Sequence, residues 1–234
     1  HNPMLDHRAR VWITSRVRGF QNPAFCREGS DHPSAQLFPT TRTGRNLAMF
    51  DPVTEEFSLI STCFSTHHLM FAEDDNNTLW TSGGGQVIGW LNTKMYDETG
   101  DEEASQGWSP LILDTNGNGK RDEGYVGPKD KVDPTKDKRI NAGFYAVMPN
   151  PADGSVWGTA GVFGDAVARV GVNRVGGAGN GEGRQQRPVF QQLHCQSNIA
   201  VSPTTSGPSG ERLLSKQFHQ PVLEQHRFIS GRTS

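Results

Sequence analysis

Apolar residues in this chain come in short runs separated by turn-rich stretches, and three segments repeat one plan. They are Met4–Ser15, Phe71–Ser82 and Val147–Thr159. Each has a short apolar run, a turn rich in Asp, Asn and Gly, and then an aliphatic–Trp pair with Thr or Ser following. Asp, Asn and Gly tolerate the positive φ of tight turns, so each segment predicts a β-hairpin. Trp12, Trp80 and Trp157 are then the large inward plugs of three equivalent units. Further strand-like runs follow at Asn46–Pro52 with Glu56–Ile60, at Gln86–Asn92 and at Ala166–Val170. Four short strands per unit is the pattern of a propeller blade, a twisted sheet that must stack on its neighbours to cover its apolar faces. The Trp-to-Trp spacings of 68 and 77 residues exceed the usual ~40–50 per blade. Pro/Asp/Gly-rich insertions at about 20–45 and 94–140 take up the excess. The expected fold is therefore all-β: an incomplete β-propeller of about three blades over residues 1–170.

Composition supports many turns and few long helices, because 27 Gly and 14 Pro are spread over 234 residues. It also divides the chain. Residues 1–170 hold all five Trp and all three Tyr and carry a net charge of −6, whereas residues 171–234 carry +4 and no Asp. That tail is rich in Gly, Arg and Gln and lacks periodicity, so it is expected to pack poorly. A shifted reading frame near Val170–Val172 would produce the same abrupt change. No run approaches the roughly 20 apolar residues of a membrane span. The net charge of −2 gives no reason to expect nucleic acid as a partner.

The blade-like segments carry a family resemblance. Asp153-Gly154-Ser155-Val156-Trp157-Gly158-Thr159, Thr78-Leu79-Trp80-Thr81-Ser82, Arg10-Val11-Trp12-Ile13-Thr14 and Ala48-Met49-Phe50-Asp51-Pro52 resemble the blades of streptogramin (virginiamycin) B lyase-like β-propellers. The likeness covers roughly residues 1–170, and such motifs specify a fold rather than an activity. The long insertions look like those of uncharacterised bacterial, exported members. The resemblance implies six or seven blades, so the remaining blades of a longer chain are expected partners. The family's lyases use channel-facing His and Glu with Mg²⁺ to remove a proton and eliminate an ester oxygen. Their His-x-Glu-x-His-like arrangement has no match here, so no catalytic residue is carried over.

The sharpest chemical motif is Asp114-Thr115-Asn116-Gly117-Asn118-Gly119-Lys120-Arg121-Asp122-Glu123. Oxygen side chains at its first, third, fifth and ninth positions, with Gly at the sixth, follow the order of an EF-hand-type loop. Asp114, Asn116, Asn118, the Lys120 carbonyl and Asp122 would hold a structural Ca²⁺. The twelfth position is Tyr125 instead of a bidentate Glu, so Glu123 or Asp133 would have to complete the site. The alternative is a polar Asn-Gly turn without metal. The charged residues around it, Asp97–Glu103 and Lys129–Lys138, read as a solvated mixed-charge loop.

His1 and the His67-His68 pair each precede the first strand of a unit. In a propeller that position faces the central channel, where imidazoles bind a ligand or metal or act as a base; alternatively they set the packing of the neighbouring blade. His32 reads as a loop residue. Cys26 and Cys63 either form a disulfide, which implies an oxidising compartment such as the periplasm or the exterior, or stay as buried thiols. The expected function is an exported scaffold that binds a small molecule or protein at its channel mouth. The rival is a metal-assisted lyase or lactone hydrolase.

Overall fold

Strands form where β-branched and aromatic residues run between Asp/Asn/Gly turns. The computed structural model describes residues 2–82, 85–118, 122, 124–141, 143–160, 166–173 and 189–195. These build a mostly β protein of three sheets. In sheet 1, β1 (Met4–Leu5), β2 (Val11–Ser15), β3 (Asn46–Asp51) and β4 (Glu56–Ile60) form an antiparallel meander. Sheet 2 repeats that order with β5 (His68–Phe71), β6 (Thr78–Ser82), β7 (Val87–Asn92) and β8 (Gln106–Pro110).

The chain then makes β9 (Ile112–Leu113), β10 (Tyr125–Val126) and β11 (Asp137–Arg139) before a third meander begins. That meander is β12 (Phe144–Pro149), β13 (Val156–Ala160), β14 (Ala166–Asn173) and β15 (Val189–Cys195). β9, β11 and β10 extend sheet 3 beyond β15. β14 thus runs past Val170, and its partner β15 comes from the segment that composition sets apart as a tail. Residues 174–188 and 196–234 of that segment lie outside the described residues.

The hairpin repeat is visible in backbone geometry. Each Trp stands opposite a Met: Met4 and Trp12, Met70 and Trp80, Met148 and Trp157. Three positions before each Trp the backbone turns left-handed, at Ala9 (φ 60°), Asn77 (φ 47°) and Gly154 (φ 72°). Gly adopts this conformation freely and Asn readily, while Ala gives up about 1–2 kcal/mol. An Asp carboxylate braces every turn. Asp6 accepts from the Arg8 and Arg10 N–H groups, Asp74 from Thr78 N–H, and Asp153 from Ser155 N–H.

The sheets stack through their first strands. β1 and β2 meet β5, and β5 and β6 meet β12. The Asn2 amide bonds both the N–H and the carbonyl of Leu69, and the Ser82 hydroxyl donates to the Tyr145 carbonyl. One core joins Trp12, Leu47, Met49 and Ile60 of sheet 1 to Leu69, Leu79 and Leu91 of sheet 2. A second joins Trp80, Ile88 and Trp90 of sheet 2 to Phe144, Val147, Val156 and Val170 of sheet 3. Sheet 2 is therefore buried on both faces, which explains the near-continuous apolar run of β7 and the burial of every residue of β6. Trp12 and Trp80 are buried plugs as expected, but Trp157 is only half-buried. Its indole N–H donates to Ser155 and the Arg169 guanidinium lies over its ring. Gly89 of β7 has no room for a side chain, because a methyl group there would overlap the Phe64 ring.

The insertions are more ordered than their composition implies. Residues 16–45 fold through a 3₁₀ turn at Ala24–Cys26 and helix α1 (Pro33–Leu37). They pack onto sheet 2 in a cluster of Cys26, Ala35, Cys63, Phe64, Val87 and Trp108. Cys26 and Cys63 form a disulfide. The acidic run after β7 is exposed at Asp97, Glu98, Asp101 and Glu103, as expected, but it forms two helices instead of a loop, α2 (Thr93–Thr99) and α3 (Glu102–Ser105). The side chains of Asn92 and Asp101 cap their N-termini, and Gly100 at φ 67° ends α2. Asp97 pairs with Arg8 and Arg10, and the half-buried Glu102 accepts from Ser61 N–H. Burial holds the Glu102 carboxyl above its ordinary pKa. Among the described residues no helix is long and apolar enough to cross a membrane.

Candidate functional site

Because the first strands lie side by side, the residues that begin them converge. His68 opens β5, and its ring lies 4.5 Å from that of His67. Tyr145 of β12 meets both, at 5.4 Å from His67 and 4.7 Å from His68. Burial first, and then nearby positive charge, including that of Arg45, push the His67 pKa down to about 4. Burial also lowers that of His68. Both imidazoles are thus neutral at neutral pH, the form that accepts protons and ligates metals. His1, the third candidate, lies outside the described residues.

The candidate cation loop follows β9. Asn116 Nδ2 lies 2.7 Å from Asp122 Oδ2, and Asn118 Nδ2 lies 2.9 Å from Asp122 Oδ1. Asp114 Oδ1 accepts from Gly117 N–H. The third, fifth and ninth positions therefore face one another, with the first folded into the turn. Hard oxygen donors of this kind suit Ca²⁺, provided the two amides present oxygen rather than nitrogen to the centre. Tyr125 is turned elsewhere, its hydroxyl donating to the Leu37 carbonyl. Asp133 is engaged locally by Thr135. The acid that stands against the loop is the buried Asp137, whose Oδ2 accepts from Asp122 N–H. Lys120 and Glu123 lie outside the described residues. Among the described residues no three His, Cys, Asp or Glu side chains gather as a metal group.

His32 is a buried structural link. Its Nδ1 accepts from Ser34 N–H at the start of α1, which leaves Nε2–H to donate to the Gln106 carbonyl. Its ring stacks on Trp108, with centroids 4.7 Å apart and planes 12° apart.

The sequence reading passed over a group of arginines. Arg16, Arg42 and Arg45 line an open cleft of about 530 Å³ between the first insertion and the segment leading into β7. Arg16 follows β2 and Arg45 precedes β3, and the pairing of Ser15 with Asn46 brings these ends together. A meander with a long β2–β3 insertion already required that closeness, which was the available signal.

No protein-family model, no curated protein and no solved structure matches this chain.

Proposed function

We propose that the chain is a β-propeller-type scaffold of an exported protein, binding a ligand at the mouth formed where its first strands begin. The observation that carries this reading is the threefold repetition of one hairpin in sheets that stack first strand to first strand. Stacked repeats need neighbours, and sheet 1 offers a place for one. Its row Leu5, Val11, Phe50 and Phe57 corresponds to the row Phe71, Leu79 and Leu91 of sheet 2, against which Trp12 packs. Leu5 and Phe57 are 65% and 66% exposed. Three sheets are too few to close a ring, so the reading takes further blades as the partner of this face.

The mouth is tested through its imidazoles. The His67 signal in an NMR titration should reach the midpoint of its shift near pH 4 and not near 6.5. The unfolded chain takes up that proton near 6.5. The stabilising effect of this group is therefore complete above pH 6.5 and lost progressively as pH falls to about 4. In a fragment screen at neutral pH, hits should shift the His67 and His68 signals without added metal. Selective broadening of those signals by Mn²⁺, standing in for Mg²⁺, would replace this reading with the metal-assisted lyase or lactone hydrolase. A screen that moves neither imidazole would overturn it.

The 114–123 loop serves in this reading as a calcium clamp on an insertion with little core of its own. Calcium at a hundredfold excess over its dissociation constant should stabilise the fold by about 2.7 kcal/mol. Asp114→Ala should abolish the shift in melting temperature. An unchanged melting curve with calcium and with chelator removes the loop assignment and leaves the scaffold reading intact.

A further inference from the structure

Four arginines border the first insertion, and they divide by what they touch. Arg18 is spent on the fold. Its guanidinium donates to the carbonyls of Arg45 and Thr62, to Asn22 and to Thr43, and burial lowers its pKa. Arg16 and Arg42 are exposed and Arg45 is half-buried, and all three line the cleft. Arg42 lies over the Phe20 ring at 4.3 Å, a contact that a planar guanidinium favours. None of the three forms an ion pair with a described residue, and no carboxylate is among the residues lining the cleft. Three cations gathered without a counter-charge repel one another, and a concave wall concentrates their field. That arrangement favours an anion.

From this we infer that the cleft is a binding site for a small oxyanionic ligand, a phosphate ester or a carboxylate on a hydroxyl-bearing body. Guanidinium forks bind planar and tetrahedral oxyanions bidentately. The hydroxyls of Thr41 and Ser65 add neutral partners for the rest of such a molecule. The cleft's size falls within the range of small-molecule sites, about 300–1,000 Å³. A long polyanion is the poorer occupant, since residues 1–170 carry a net charge of −6 and would repel it beyond the cleft. The inference stands on the arginines and is independent of the propeller reading.

The test is calorimetric titration of the full chain with inorganic phosphate, glucose 6-phosphate, glucuronate and glucose at low ionic strength. Saturable binding of the phosphates or of glucuronate, with none of glucose, is expected, and the stronger of the two classes identifies the anion. Arg16→Gln, Arg42→Gln and Arg45→Gln should each weaken binding about tenfold or more, as loss of a charged hydrogen bond does. Arg45→Lys should retain part of the affinity, because charge persists while the fork is lost. Melting temperatures of these variants should match that of the parent. Absence of saturable anion binding, equal affinity in the parent and the Gln variants, or affinity lost only together with melting temperature would each overturn the assignment.

Discussion

Replacing Arg10 with Met is expected to cost about 3–5 kcal/mol of stability, the penalty for stranding one member of a buried ion pair. Arg10 is 3% exposed. Its Nε lies 2.7 Å from Asp6 Oδ2, and its two terminal nitrogens grip Asp97 at 2.7 and 2.8 Å. Asp6 is equally enclosed and also takes the indole N–H of Trp12. One guanidinium thus ties the first hairpin and its Trp to helix α2, which connects sheet 2 to its last strand. Without it the Asp6 charge stays buried with only neutral donors. Asp97→Asn should be far milder, about 1 kcal/mol, because that carboxylate is 20% exposed and water can replace its partner. Urea unfolding of the two variants measures both values. Equal stabilities for Arg10→Met and the parent would show that the network contributes nothing. The pH dependence has a defined sign. Burial alone would raise the Asp6 pKa, but hydrogen bonds from Trp12 and Arg10 and the Arg10 charge hold it below 3.8. Its contribution is therefore full above that value and is lost as pH falls through the depressed one.

The hairpins were legible because everything that makes them is local. Turn residues, a left-handed position and a Trp opposite a Met fall within a dozen residues of one another. Whether a Trp is covered is not local. Trp12 and Trp80 are sealed by the next sheet, whereas Trp157 belongs to the last meander and stays half-buried, although its sequence context is the best match of the three to a Gly-containing turn. The helices after β7 had their own local signals in Asn92, Gly100 and Asp101, but a run of acids does not show that one of them, Asp97, is held in place unless the cations that meet it are known. Those cations are Arg8 and Arg10, nearly ninety residues away. β15 shows the same limit from the other side. Its segment lacks alternation, and pairing with β14 gives it its place. In the candidate cation loop the spacing singled out Asp114, Asn116, Asn118 and Asp122, but the neighbouring acid, Asp137, is brought up by the pairing of β11 with β9.

Reduction of the Cys26–Cys63 disulfide is expected to lower stability by about 4 kcal/mol. The bond closes a loop with a sequence separation of 37 residues, and the chain-entropy relation gives that magnitude for a loop of this length. The bond also holds the first insertion where it packs. Both cysteines are fully buried with Phe64 and Trp108, and the insertion is otherwise fastened to β8 by a few groups. Ser34 Oγ accepts from Trp108 N–H, Trp108 Nε1 donates to the Phe38 carbonyl, and His32 reaches the Gln106 carbonyl. These contacts form only if 16–45 already lies against sheet 2, so reduction should loosen that segment before the sheets separate. Limited proteolysis of the reduced protein should cut first within 27–44, and a Cys26→Ser, Cys63→Ser double variant should behave like it. Identical unfolding midpoints for oxidised and reduced protein would show that the core alone holds the insertion. A loss near 4 kcal/mol is a large share of the 5–15 kcal/mol that folded domains possess. A protein so dependent on one disulfide is suited to an oxidising compartment, and the exported setting proposed for this scaffold depends on that dependence.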